Sequence, residues 1–283
     1  MEITKKGARI TSVRGFVDAA FRQPEADGFF YAYRGHSSQD YDLLPSVLRN
    51  PKRRAQERRI FQELLATSSN EFTTDRNAFQ RLVRAQHYSL PTRLLDVTLN
   101  PLVGLYFATD EIDEHATGLS NAGEVVVFKV PWSSIKYSDS DAVSCLANLA
   151  YMTNDERRAL RRLGRLEIED FNKHPVVNRL YQFIRDEKPG FRPIIRPDEI
   201  KQTYFVTPRD SNNRMIAQAG KFVIFGERVS YRHVISDFDI SVFRIAADAK
   251  AAIRRQLDKL SINGRTLFPE VESAAKYIVA KFL

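Results

Sequence analysis

The chain has 283 residues, of which 43% are hydrophobic, 11% aromatic and 28% charged, a balance that excludes a disordered or fibrous protein and suffices for a sizeable core. Its formal net charge of +8 favours anionic partners, among them nucleic acid, dinucleotides and acidic protein surfaces. No run of about 20 apolar residues occurs, and the opening MEITKKGARITSV lacks the apolar stretch of a secretory leader, so a cytoplasmic protein with no membrane partner is expected.

Residues 12–23 carry apolar side chains at helical spacing behind Ser12, a good N-cap, and GFFYAYRG (28–35) then reads as a short aromatic-rich strand. Alternation puts Ala32 and Arg34 on one face of that strand and Tyr31 and Tyr33 on the other. Pro51 opens a long helix that the pattern extends to about Phe72, and a second helix covers roughly 76–88. Pro91 biases LPTRLLDVT towards extended backbone, with Thr92, Leu94, Asp96 and Thr98 on a common side. Asn100 and Pro101 start the helix PLVGLYFAT, which is apolar nearly all round and therefore central.

GEVVVFKV (123–130) is an interior strand, and FRPIIRP, QTYFVT, GKFVIFG and FDISVFRIA are later strand candidates. Between them a charged helical block, about 139–188, reads as an insertion whose exposed ends are candidates for a moving flap. A helix from Ala247 to Leu260, ended by Asn263-Gly264, and a closing helix from Phe268-Pro269 to Leu283 make up the C-terminal helices, 247–283. No Gly/Ser or Pro-rich linker divides the chain, so one domain over 1–283 of class α+β is expected.

The five histidines, at 36, 87, 115, 174 and 233, show no ligand spacing and Cys145 is the only cysteine, so no metal site is expected. The phosphate-binding patterns GxGxxG and GxxxxGK[ST] and the hydrolase pattern GxSxG are absent. Three constellations remain. Arg34 ends a strand beside Gly35, where it either grips a phosphate, the glycine allowing close backbone approach, or caps the strand at the surface. Gln86, His87 and Tyr88 finish a helix ahead of Thr92, Arg93, Asp96 and Thr98. The Thr92 to Thr98 side either faces a cleft or turns inward, in which case Asp96 needs Arg34, Arg84 or Arg93 as a partner. Gln218 and Gly220 precede a strand with Glu227 just past its far end, the amide serving either a ligand or backbone groups. The basic runs PKRRAQERR and ERRALRRLGR have helical spacing, which suits either solvated faces or an anionic partner.

Taken in order, these constellations resemble the FRG domain family, named for the Phe-Arg-Gly of its first motif, here Tyr33-Arg34-Gly35. The second family motif, close to QHYGLPTRLLDWT followed by NPLVALYFA, stands as Gln86 to Thr98 and then NPLVGLYFA from Asn100. The third, R-x-x-x-Q-x-G-x-F, matches Arg214, Gln218, Gly220 and Phe222, and Leu267-Phe268-Pro269 is similar to the family's ending. Ser89 stands where the motif has glycine, and Val97 where it has tryptophan, a change expected to reshape the wall beside Asp96.

In motif order the family is similar to ADP-ribosyltransferases of the arginine-first type. The resemblance implies an ADP-ribosyltransferase-like split antiparallel or mixed sheet core with surrounding helices. It also implies NAD as substrate without a metal, and an intracellular bacterial or phage-borne effector in a toxin or defence setting, with a protein or nucleic-acid acceptor. Tyr33, Arg34, Gly35, Tyr88, Thr92, Arg93 and Thr98 would hold the dinucleotide, Arg34 on its phosphate or ribose and Thr92 to Thr98 along the nicotinamide pocket. Gln218 falls near the late acidic position, yet it carries no charge to counter an oxocarbenium-like transition state. The carboxylate is therefore expected from Asp96 or Glu227, with His87 as a polarising or proton-handling group. The alternative is a non-catalytic module whose basic helices engage nucleic acid or another anionic partner.

Overall fold

A computed structural model describes residues 9–24, 27–111, 120–209, 213–227 and 238–270, together with Tyr277 and Val279. Apart from those two residues the expected closing helix beyond Glu270, and with it His115 and His233, lie outside the described residues. In chain order the first half holds β1 (Arg9–Ile10), α1 (Val13–Phe21), β2 (Phe29–His36), α2 (Pro51–Ala55), α3 (Glu57–Thr67), α4 (Ala78–His87), β3 (Leu94–Thr98) and α5 (Pro101–Ala108). The second half holds β4 (Gly123–Pro131), β5 (Lys136–Tyr137), α6 (Asp141–Ala147), α7 (Asn154–Leu163), α8 (Ile168–Lys173) and α9 (Pro175–Glu187). It continues with β6 (Thr203–Thr207), α10 (Asn213–Ala217), β7 (Gly220–Phe225), β8 (Asp239–Ile245), α11 (Lys250–Lys259) and α12 (Gly264–Leu267).

The helix starts follow local chemistry. The side chains of Ser12, Asn50, Asn77, Asn100 and Ser140 each accept from a backbone N–H in the first turn of α1, α2, α4, α5 and α6, and Pro51 and Pro101 occupy first-turn positions where no N–H is needed. Thr153 and Glu156 form a reciprocal capping box on α7. Helix α4 ends in a Schellman motif: Leu90 N–H donates to the Ala85 carbonyl and Ser89 N–H to that of Gln86, with Ser89 at φ 64°. A serine pays a steric penalty there that glycine does not. Ser89→Gly is therefore expected to raise stability by about 0.5–1 kcal/mol, net of glycine's greater chain entropy, measured as a higher midpoint in urea.

Four expectations need correction. The helix expected from Pro51 to Phe72 is broken at Gln56 and ends at Thr67, followed by a short 3-10 turn over Ser69–Phe72. The break falls immediately before Glu57, whose carboxylate enters a buried ion cluster. FRPIIRP forms no strand, because Pro193 and Pro197 each lack the N–H a ladder requires. Asn263 does not end α11, which stops in a second Schellman motif with Ser261 at φ 61°, and instead caps α12. The block expected as an insertion with flap-like ends is built into the molecule over Asp141 to Glu187: Leu146, Leu149, Leu160, Phe171, Leu180 and Ile184 from it are fully buried in the largest apolar core.

The strands form one mixed eight-stranded sheet in the order β1-β8-β4-β2-β3-β7-β6-β5. β2 pairs with β4 along its whole length and β3 with β7 along its whole length, both antiparallel. Between β2 and β3, at the middle of the sheet, the pairing is reduced to one position, Tyr33 opposite Thr98. One face of the β2 half is covered by α1, α5 and α11 through Phe16, Leu105, Ile253 and Leu257. The same face of the β3 half, with Leu94, Phe222 and Ile224, is covered by the helical block. On the opposite face Ala32, Leu95, Val97, Val126 and Val223 form an apolar layer continuous across both halves. The alternation expected for β2 holds, with Ala32 in that layer and Tyr31 and Tyr33 on the α5 side.

Helix α5 lies directly on β2. A Cβ at Gly35 would collide with the Gly104 carbonyl oxygen and come within 2.5 Å of the Ala108 nitrogen, and a Cβ at Gly104 would stand 2.9 Å from the Cβ of Tyr33. The close approach that Gly35 permits is to this helix rather than to a ligand's backbone contact.

Candidate functional site

Where β2 and β3 part, a cleft of about 160 Å³ opens, walled by Tyr33 to Gly35 of β2, Asp96 to Thr98 of β3, Phe107 of α5, and Arg214 and Gln218 on either side of the end of α10. Three stretches far apart in sequence thus meet at one opening. In place of ladder bonds, the half-buried Arg34 side chain spans the gap and donates from Nη1 to the Asp96 carbonyl at 2.6 Å. Its Nε donates to Nε2 of His36 at 3.0 Å. Burial pushes the guanidinium pKa down to about 10, against the Asp96 charge that raises it, so Arg34 stays cationic at neutral pH.

The side chain of Asp96 is exposed and makes no ion pair among the described residues; Oδ2 accepts from Gln86 Nε2 at 2.6 Å. Gln86 is held in turn by the Thr92 hydroxyl, which donates to its amide oxygen. Of the arginines that would have neutralised an inward Asp96, Arg84 pairs with Asp75 at 2.7 Å, Arg93 with Glu57 at 2.7 Å, and Arg34 takes only the Asp96 carbonyl. Asp96 is therefore held in place by an amide and keeps its charge available to the cleft. Thr98 donates to the Gln218 carbonyl at 2.6 Å, and the Gln218 amide donates to the Leu267 carbonyl at 3.0 Å, which ties β3, α10 and α12 into one wall. Arg214, which lines the same opening, lies 4.7 Å over the Phe268 ring in a cation–π contact.

Five expected site residues do not line the cleft, and two of them, Arg93 and Glu227, lie at the far end of β3 and β7. Arg93 is fully buried and bonds Glu57 bidentately, the Phe225 carbonyl, and Glu227. Glu227, 2% exposed, also meets Arg54 at 2.9 Å, Arg161 at 3.1 Å and Arg157 at 3.3 Å. Glu227 follows the end of β7 remote from Gln218, and Arg93 precedes β3 at that same end, as the pairing of Leu94 with Ile224 and Thr98 with Gly220 requires. Neither reaches the cleft. The cluster also takes Arg54, Arg157 and Arg161 out of the basic runs, leaving Lys52, Arg53, Arg59, Arg158, Arg162 and Arg165 as their exposed members.

Tyr88 is exposed and donates to Glu71 at 2.7 Å, outside the cleft. Thr92 is buried and acts on the site only through Gln86. His87 faces a separate groove of about 400 Å³ and stands 3.3 Å from Glu270; burial and the Arg214 charge lower its pKa, partly offset by Glu270. Tyr33, Arg34, Gly35, Asp96, Thr98 and Gln218 are brought together. Gln86, His36, Phe107 and Arg214 join them without having been assigned a role from sequence. Gln86, Phe107 and Arg214 stood inside the quoted motifs, whereas His36 carried no separate signal.

His36 is 3% exposed, its Nδ1 lies 3.1 Å from Glu124, and burial with the nearby charges of Arg34 and Arg49 holds its pKa well below the ordinary 6.5. The native imidazole thus stays neutral while the unfolded one takes up a proton below its own pKa. Stability is expected to fall as pH drops from about 7.5 to 5.5. His36→Gln is expected to flatten that slope relative to wild type, with chemical unfolding at each pH as the measurement.

Among the described residues no helix is long and apolar enough to cross a membrane, and no three His, Cys, Asp or Glu side chains gather as metal ligands. Cys145 is buried and its thiol pKa is pushed up. The family model of the FRG domain matches residues 30–117, which run from β2 past the end of α5. No curated protein and no solved structure matches the chain.

Proposed function

From an FRG domain at residues 30–117, we propose that the split-sheet cleft binds NAD and cleaves its nicotinamide N-glycosidic bond, as an ADP-ribosyltransferase or NAD glycohydrolase does. The observation that carries this reading is the pairing, in one cleft, of two guanidinium groups, Arg34 and Arg214, with a single unneutralised carboxylate, Asp96. Two cations suit a pyrophosphate, and a planar fork suits it better than a point charge. The carboxylate suits the positive charge that develops on the ribose as the bond breaks.

In that reaction the bond between ribose C1′ and the nicotinamide nitrogen breaks, its electron pair leaving with nicotinamide. An acceptor nucleophile or water adds at C1′ and gives up a proton. Asp96, fixed by Gln86 and Thr92, stabilises the oxocarbenium-like state electrostatically. The opening is smaller than the roughly 300–1,000 Å³ of sites that enclose a whole drug-sized ligand. It takes the nicotinamide-ribose end and leaves the rest of the dinucleotide on the surface beside the arginines. Titration calorimetry with NAD, and nicotinamide release with and without a cell lysate carrying labelled NAD, test the reading. Binding with release or label transfer supports it, and the absence of both binding and release overturns it.

A second reading is non-catalytic binding of an anionic partner such as nucleic acid. It is favoured by a shallow groove on α2 and α3 where the exposed Lys52, Arg53 and Arg59 stand over Ile60, Leu64 and Leu90. Affinity should then fall steeply with salt and should drop on removal of those three charges.

A further inference from the structure

Arg34 and His36 are two residues apart on β2 and so share a face of the strand. A guanidinium has five donors, and two of them on Arg34 are committed: Nε to His36 Nε2 at 3.0 Å and Nη1 to the Asp96 carbonyl at 2.6 Å. Two bonds from different nitrogens fix the plane of the group as well as its position, so the direction of the remaining donors is set. The imidazole accepts at Nε2 only if its proton sits on Nδ1, and Nδ1 lies 3.1 Å from Oε1 of Glu124. Glu124 is the register partner of His36 across the β2–β4 ladder, so the backbone pairing itself delivers the carboxylate. With His36 3% exposed, water does not replace either bond. The result is a carboxylate, a neutral imidazole and a guanidinium in series, ending at the cleft.

We propose that His36 is the positioning residue for Arg34: Glu124 holds it in the Nδ1-protonated form, and it locks the guanidinium so that the uncommitted donors meet the anionic group of the ligand. The role rests on the reading of the cleft as an NAD site. It differs from the metal-ligand and acid–base roles usual for histidine, since this imidazole neither touches the ligand nor exchanges a proton with it.

Two polar variants separate positioning from mere packing. The amide of His36→Gln reaches the place of Nε2 and keeps an acceptor for Arg34. The amide of His36→Asn reaches only the place of Nδ1, so it keeps the partner of Glu124 and loses that of Arg34. With the full-length protein, NAD affinity by calorimetry and the KM and kcat for nicotinamide release are compared, with nitrogen-15 NMR of the wild-type imidazole reporting its tautomer. The expected result is an Nδ1-protonated ring, His36→Gln within about threefold of wild type, and His36→Asn weakened about tenfold in Kd and KM, the worth of one charge-assisted hydrogen bond, with kcat moved less. Equal affinities for the two variants, or an Nε2-protonated ring, overturn the proposal. If instead wild type and Arg34→Ala both fail to bind NAD, the cleft reading fails, and with it the positioning role, whereas wild-type binding with equal Asn and Gln variants removes the positioning role alone.

Discussion

Arg34→Ala should reduce NAD binding and turnover by about 100-fold or more, the loss expected when two charge-assisted hydrogen bonds of about 1.5 kcal/mol each disappear. Arg34→Lys should recover little of this, because a lysine ammonium cannot hold the Asp96 carbonyl, the His36 ring and an anion in one plane. Asp96→Asn, isosteric and still able to meet Gln86, should behave differently: KM is held and kcat falls by about 100-fold, as for other lost transition-state electrostatic groups. The split between a binding defect at Arg34 and a rate defect at Asp96, measured by steady-state nicotinamide release on variants with wild-type unfolding midpoints, is the signature of the assigned roles. A defect in KM alone at Asp96 would remove it from the chemistry.

The largest stability effects should come from the opposite end of β3. Glu227→Ala leaves Arg54, Arg93, Arg157 and Arg161 with Glu57 as the remaining carboxylate of the cluster, and Arg93→Ala leaves two buried glutamates short of their main cation. Breaking a buried ion pair from one side costs about 3–5 kcal/mol, a large share of the roughly 5–15 kcal/mol that holds a domain folded. Either variant should show a collapsed midpoint in urea and little soluble protein, and any loss of activity should track the folded fraction. A variant that folds normally but lacks activity would return Glu227 to the site. Burial pushes the Glu227 carboxyl up, but Arg93, Arg157 and Arg54 outweigh it and hold the pKa below the ordinary 4.5. Its stabilisation is therefore complete above that value and disappears as pH falls through the lower, folded-state pKa.

The contrast between Arg93 and Asp96 marks how far the amino-acid pattern carries. Strand alternation alone places them on opposite sides, and Leu95 and Val97, which flank Asp96, do lie in the layer away from it. The capped helices, the central α5 and most strands were legible for the same reason: caps, prolines and periodicity act within a few residues. Glu227 was legible as lying past the far end of its strand, but that Asp96 and Thr98 meet the Gln218 end of β7 rather than the Glu227 end depends on the pairing of β7 with β3, a long-range register that no local pattern encodes. His36 was invisible for a related reason, since its role needs Glu124 across a ladder between segments 88 residues apart. The break before Glu57 likewise answers to a partner, Arg93, that is distant in sequence.

The single rung between Tyr33 and Thr98 has a mechanical meaning. The backbone ladder behaves as two plates fastened by one rivet, backed by the continuous apolar layer and the Arg34 bond to the Asp96 carbonyl, with Arg34 carried on one plate and Asp96, Arg214 and Gln218 on the other or at its border. A molecule lodged between them is a second rivet. On the proposed reading, occupancy is expected to stiffen the whole sheet rather than a loop at its rim, with slower hydrogen exchange at the seam amides of β2 and β3 as the measurement.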